Sequence, residues 1–280
     1  MISREHPLAN SKPKLLYKYL HPDRIDVLRN RKIRLTTPRD FNDPFDVYPI
    51  ILPYDTKRTE HLWPHESVKT ELARRYAAAG RLQLLYEQIP IDEFGERRLS
   101  ALPKYGALCL SEVRDNLLMW SHYAAEHRGL VLELDALSAF LAGARKLTYT
   151  DKRAALSFNV NQELLHELSF FYEKSTAWSY EREWRMVSKL CWASEILNLE
   201  TGQIHLFDLP STAILGVILG ARMSSVDREA IVAALSSPHY RHVHVQHAQM
   251  SADTFALEFR SIRERRPPIP SSTQRDRTSD

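Results

Sequence analysis

Apolar positions in this chain switch repeatedly between a period near 3.6 and a period of two. Residues 107–110 (Ala-Leu-Cys-Leu) form a short apolar run, Leu117, Trp120 and Ala124 recur at helical spacing, and residues 130–135 (Leu-Val-Leu-Glu-Leu-Asp) alternate. That pattern predicts strand, helix, strand, with Asp115 or Asn116 as helix N-cap and Gly129 as the helix stop. Upstream, residues 15–20 predict a first strand. His21-Pro22-Asp23 opens a helix with Ile25 and Leu28 on its apolar face, and residues 33–36 give a second strand. Downstream, the spacing predicts a short helix over 136–143, a strand over 146–149, an amphipathic helix over 161–174 and a strand over 181–187. Residues 204–207 and the run 214–219, apolar at every position except Gly216, follow as strands, then a helix from Ser224 or Ser225 to 235 and strands over 242–247 and 254–259. Between the early strands, residues 65–88 carry Val68, Leu72, Tyr76, Leu82 and Leu85 at helical spacing, a helical insertion at about 60–90. The expected class is α+β, or mixed α/β: one central, largely antiparallel sheet of roughly seven strands with helices on its faces.

Composition narrows this only slightly. With 280 residues and 44% hydrophobic content, the chain buries roughly three quarters of its unfolded surface and needs no disulfide or metal to fold. One domain over 1–262 is expected. The basic, proline-bearing stretch 263–280 has no apolar periodicity and reads as a disordered tail. Cys109 and Cys191 both sit among apolar neighbours, as buried thiols in a reducing compartment do. No apolar stretch has the length of a signal peptide or a membrane span, so a cytoplasmic protein without membrane contact is expected. The 38 basic residues are interleaved with 35 acidic ones for a net charge of +3, too mild and too mixed to imply nucleic-acid binding on its own.

Candidate chemistry lies in three stretches. Asn42-Asp43-Pro44-Phe45-Asp46 is built from strong turn formers, so Asn42 and Asp43 either pin a turn through their side chains or wall a site. Ser121, His122 and Tyr123 bring polar groups beside Trp120, where His122 reads either as a base or clamp in a pocket or as a satisfied core histidine. In residues 181–187, alternation places Glu181, Glu183, Arg185 and Val187 on one face and Arg182, Trp184 and Met186 on the other. Two carboxylates on one face let one act on a substrate while the other positions a nucleophile or shifts its partner's pKa. The same charges on a central strand also make a structural ion network, which burial demands be paired. A metal site is not expected, because His242 and His244 have no second ligand pair at suitable spacing and read as an exposed polar strand face. With eight glycines and no Gly-rich phosphate loop, a P-loop or dinucleotide fingerprint is excluded. Cys109, among apolar neighbours, reads as core and not as a nucleophile.

Three motifs together carry a resemblance. Asn42-Asp43-Pro44-Phe45-Asp46, Leu118-Met119-Trp120-Ser121-His122-Tyr123-Ala124 and Tyr180-Glu181-Arg182-Glu183-Trp184-Arg185 resemble a bacterial family catalogued as domain of unknown function 2971, over about residues 15–220. That resemblance implies a fold and no reaction. The Glu-x-Glu pair also loosely resembles arginine-modifying ADP-ribosyltransferases, which place such a pair after a first-strand cation and a serine-bearing strand. Here Lys18, Ser111 and Glu181/Glu183 fill that order, with Lys18 or Tyr19 standing where those enzymes carry His or Arg. The resemblance implies an NAD-using toxin or phage-defence effector. In it Glu183 stabilises the ribosyl cation, Glu181 orients a protein or nucleic-acid acceptor, and Tyr19 or Trp120 stacks on the small-molecule nucleotide. The alternative from another class is a non-catalytic ligand- or partner-binding module in a bacterial defence or regulatory system, with the Glu-Arg strand serving as structure.

Overall fold

The strand with the least solvent on either face, β5 (Leu130–Asp135), has Leu130, Val131, Leu132 and Leu134 at 0% exposure, which explains why its sequence is apolar almost without interruption. A computed structural model describes residues 12–52, 104–157, 168–200 and 202–263. The helical insertion at about 60–90, the first part of the helix expected over 161–174 and the tail beyond 263 lie outside the described residues. In chain order the strands are β1 (Leu15–Leu20), β2 (Lys32–Arg34), β3 (Ile50–Leu52), β4 (Tyr105–Ser111), β5, β6 (Arg145–Lys146), β7 (Thr148–Thr150), β8 (Ala155–Ser157), β9 (Glu173–Ser175), β10 (Glu183–Lys189), β11 (Glu195–Leu199), β12 (Gly202–Asp208), β13 (Ile214–Leu219), β14 (His244–Met250) and β15 (Leu257–Arg263). The α-helices among the described residues are α1 (Asp26–Asn30), α2 (Leu117–Tyr123) and α3 (Ser225–Ala234). The mixed α+β class is what the chain adopts. It divides into two compact units, one from Met1–Lys32, Glu112–Ala142 and Leu209–Asp280, the other from Ile33–Ser111 and Gly143–Asp208.

In the first unit the strand order is β15-β14-β13-β5-β1, antiparallel except for the pair β13 and β14, which α3 connects as a crossover. Helix α3 starts where Ser224 caps it, its hydroxyl accepting from the Asp227 amide at 3.1 Å, and it buries Ile231 and packs beside α1. Helix α2 starts at Asn116, whose side-chain oxygen accepts from the amides of Leu118 and Met119. Trp120 is fully buried, donates its indole N–H to the Arg114 carbonyl at 2.7 Å and meets the Tyr19 ring edge-on at 5.5 Å. Helix α2 stops at Tyr123, ahead of the expected glycine, because Ala125, Glu126 and His127 all take left-handed backbone angles with φ of 47°, 54° and 69°. Gly129 serves another purpose: a Cβ there would collide with the Leu20 carbonyl oxygen.

Across four strands of this unit, Tyr17, Glu133, Gly216 and His244 stand in register. Buried Glu133 pairs with His244 and, at 3.3 Å, with Arg114, and Gly216 makes the room for that pair. The expected exposed histidine face is therefore corrected. His242 precedes the strand and contacts the Ser211 and Ile214 carbonyls, while His244 is tied to a buried carboxylate.

In the second unit β4 and β6 flank β10, β12 lies between β11 and β2, and β3–β8 and β7–β9 are short parallel pairs. A cluster of Val47, Ala107, Phe170 and Phe171 forms its core, with Cys109 partly buried against it. Cys191, expected to be buried, is exposed. Two expected helices are also corrected: 136–143 contains only the 3-10 turn Ala139–Leu141, and 168–174 is the 3-10 turn Leu168–Tyr172 running into β9.

Candidate functional site

The strand pair β4–β10 sets Glu183 opposite Ser111 and Arg185 opposite Cys109, so one face of the pair carries a serine, a thiol, a carboxylate and a guanidinium. Glu181 is not on that strand. It closes the 3-10 turn Thr176–Glu181, and Arg182 at φ 46° turns the chain into β10. The two glutamates nonetheless converge, because β9 brings Lys174 between them. Its ammonium donates to Glu181 Oε2 at 2.6 Å and to Glu183 Oε2 at 3.0 Å, and lies 3.6 Å from Asp46 Oδ2.

Arg185, with no solvent exposure, uses every N–H it has. Its Nε donates to Glu183 Oε1 at 2.7 Å and Nη2 to Glu183 Oε2 at 3.1 Å. Nη1 and Nη2 donate to the two Asp46 carboxylate oxygens at 2.8 and 2.6 Å, and Nη1 also reaches the Phe171 carbonyl at 2.9 Å. The Phe41 ring lies 5.1 Å from its centre, and the Trp178 ring 4.9 Å from the Lys174 ammonium. Burial alone would raise the Glu183 carboxyl, but Arg185 and Lys174 outweigh it and hold the group well below the usual carboxylate range. For Lys174, burial pulls the ammonium down, while Glu183, Asp46 and Glu181 together hold it above its ordinary value. Three carboxylates face two cations, so the cluster is rich in negative charge. Around it Tyr149 accepts a 2.7 Å hydrogen bond from the Glu183 amide, its own hydroxyl pushed up to about 12 by burial, and Ser111 donates to the Glu181 carbonyl at 2.6 Å.

The outer members of this cluster border a cavity of about 240 Å³, which Asp46 and Lys174 line together with Asp43, Phe45, Tyr48 and Arg153. Asp43 shapes its rim by accepting from the Phe45 amide at 2.9 Å, so the Asn-Asp-Pro-Phe-Asp stretch is a side-chain-pinned turn and a site wall at once. The turn delivers Asp46, at 3% exposure, to Arg185. Arg153 lies over the Phe45 ring at 5.3 Å and donates to the Tyr48 carbonyl at 3.1 Å.

Of the residues expected to act, Glu181, Glu183 and Ser111 are brought together here, with Asp43 on the neighbouring cavity wall and Asn42 exposed beside it. Lys18, Tyr19, Trp120, His122 and Tyr123 belong to the other unit. There, Tyr19 and Trp120 are 5% and 0% exposed and packed on each other, so neither ring has a face open to stack a nucleotide. Lys18 is half-buried on the opposite face of β1, and His122 is exposed with Tyr123 edge-on at 6.1 Å, so it is not a core histidine. Sequence reasoning missed Asp46 and Lys174. A buried arginine beside two glutamates requires more charges to close its shell, and Asp46 ends a motif already singled out. Lys174 left no signal, because it reads as the end of a helix. Among the described residues no group of three or more His, Cys, Asp or Glu is arranged to hold a metal ion, and no helix is long and apolar enough to cross a membrane. No family model matches the chain, and neither a curated protein nor a solved structure does.

Proposed function

We propose that this chain is a ligand-binding module whose Glu-Arg strand is scaffold, with the 240 Å³ cavity over Asp46 and Lys174 as its binding site. The observation that carries this is the state of Glu183. At 3% exposure, with its carboxylate bonded to both Arg185 and Lys174, its charge is already compensated and has little left to offer a ribosyl cation. Acid outweighs base around the cavity, since Asp43, Asp46, Asp151 and Glu173 line it with Lys152, Arg153 and Lys174, and Glu181 and Glu183 lie behind it with Arg185. The fitting ligand is small and carries a cationic head, with Phe45, 61% exposed and under Arg153 on one side, lending apolar surface to its body.

A second reading keeps the NAD-dependent transferase. It is favoured by the Ser111 side chain standing across from Glu183 and hydrogen-bonded to the Glu181 carbonyl, which brings the serine and the Glu-x-Glu pair to one place. In a defence or toxin setting, Lys174 would then release Glu183 when substrate binds.

One pair of measurements separates them. Calorimetric titration with agmatine should show saturable binding that Asp43→Asn weakens, while incubation with labelled NAD and cell extract releases no nicotinamide. Nicotinamide release by wild type that Glu183→Gln abolishes would move the assignment to the transferase, and absence of agmatine binding at millimolar concentration would remove the binding site.

A further inference from the structure

The first unit holds a larger cavity, of about 490 Å³, that has no part in the site above. It opens beyond the carboxyl ends of β13 and β14, the parallel pair of this sheet, where Ala221 and Arg222 follow one strand and residues 250–257 end the other. Ligands of parallel sheets gather at that end, where the chain turns away and leaves a crevice. Leu117, Ala221, Met250 and Leu257 give it apolar walls, and the charged groups that line it are Arg222 and Asp253.

Its remaining wall is strained. His127 ends the run of three left-handed, non-glycine residues, and such runs persist only where the surroundings hold them, often at ligand clamps. Here the holding is visible. The His127 amide donates to the Trp120 carbonyl at 3.2 Å, the Arg222 amide donates to the His127 carbonyl at 2.9 Å, and the imidazole lies nearly parallel to the Trp120 indole at 6.0 Å with 11° between planes. The ring is thereby fixed as a flat wall of the cavity. Burial, and then the Arg222 charge, lowers the His127 pKa, so the wall is uncharged at neutral pH. At the rim Phe255 is fully exposed and Met250 79% exposed, apolar surface that a bound molecule would cover.

We propose that this cavity binds an aromatic carboxylate, its ring system between the His127 wall and Phe255 and its carboxylate on the Arg222 guanidinium. The flat wall and rim aromatic select a planar body, and Arg222 selects the anion by paired N–H donors. Asp253, on the same rim, works against the anion and does not hold it.

The test uses the full chain and two fluorescent probes, 2-naphthoate and its neutral counterpart 2-naphthylmethanol, followed by equilibrium dialysis. Naphthoate should bind saturably at one site, about tenfold more tightly than the alcohol, a difference of one charge-assisted contact. Arg222→Gln should erase that preference, Phe255→Ser should weaken both probes, and Asp253→Asn should bind naphthoate as well as wild type or better. Arg222 is exposed and its replacement leaves the core intact, which the melting temperature checks. Should the glutamine variant melt early, Ala221→Trp decides instead, since a filled cavity must exclude both probes. Equal affinity for acid and alcohol, a preference that survives Arg222→Gln, weakened binding in Asp253→Asn, or no naphthoate binding at millimolar concentration would each overturn the proposal.

Discussion

Asp46 and Arg185, 139 residues apart in sequence, face each other through two parallel hydrogen bonds of 2.8 and 2.6 Å, with no solvent on either side chain. Taking both charges out of water costs several kcal/mol each, which only close geometry and full pairing return. The guanidinium meets that condition with all its N–H groups bonded. A lysine at 185 could not, because its three donors cannot replace the five hydrogen bonds that pair both carboxylates edge-on and reach the carbonyl.

Asp46→Asn keeps the shape and removes the charge. It should destabilise the chain by roughly 1–3 kcal/mol in urea unfolding, since Arg185 keeps Glu183 but loses one of its two carboxylate partners and meets an amide N–H with its own. Exchanging both members, Asp46→Leu with Arg185→Met, should not recover that loss, because it also takes the guanidinium away from buried Glu183. A double variant as stable as wild type would show that the cluster contributes nothing that apolar packing cannot replace.

Stability should form a plateau in pH with two falling limbs. The Glu183 carboxyl is depressed in the folded chain, so its contribution is complete above the unfolded value of 4.5 and is lost as pH falls below it. Lys174 is raised, so its contribution is complete below 10.5 and is lost as pH rises beyond it. Tyr149 adds to the alkaline limb: the unfolded phenol ionises near 10 while the folded one holds its proton to about 12. Melting temperatures across pH 3 to 12, a range set by these values, should flatten at the acid end in Glu183→Gln and at the alkaline end in Tyr149→Phe.

Trp120→Ala should cost on the order of 3–5 kcal/mol, the penalty for emptying a fully buried aromatic site. Trp120→Phe fills part of the space but leaves the Arg114 carbonyl without its indole donor, and about 1–3 kcal/mol should be lost. An unchanged urea midpoint in the alanine variant would contradict the burial of this ring.

Gly216→Ala is the smallest substitution with a large expected effect. The added methyl collides with the Glu133 carboxylate and the His244 ring, so the pair must separate or the strands must part. Overpacking of this kind costs roughly 1–3 kcal/mol. Glu133→Ala removes the group the methyl strikes and should make the alanine more tolerable, and a double-mutant cycle reads the coupling.

What the sequence disclosed follows from how local each signal is. Strands β5 and β13 were legible to the residue, because their apolar runs are bounded by Gly129 and Asp135 and by Ala213 and Gly220. The caps at Asn116 and Ser224 were legible to within one residue, since a cap is a contact between near neighbours. Strand β11 was not: all five of its residues are exposed, so no face repeats as apolar. The Glu-x-Glu pair was read correctly as demanding partners, but its partners come from a turn at 46 and a short strand at 174 whose own residues say nothing about where they dock. The stop of α2 was misplaced because three left-handed residues without glycine have no compositional mark.

The cluster around Arg185 also bears on the order of folding. Its members come from a loop at 46, a short strand at 174, a turn at 181 and a strand at 183–185, and no two of the four segments hold a charge that can be buried alone. Closing so long a loop costs entropy, and drying the charges singly costs more than any one pair returns. The ion shell should therefore close after the β4–β10 pairing, as a single late event. Weakening it then releases the native state faster without slowing its formation: stopped-flow kinetics of Asp46→Asn should show a steep rise in the unfolding rate and a refolding rate within about twofold of wild type.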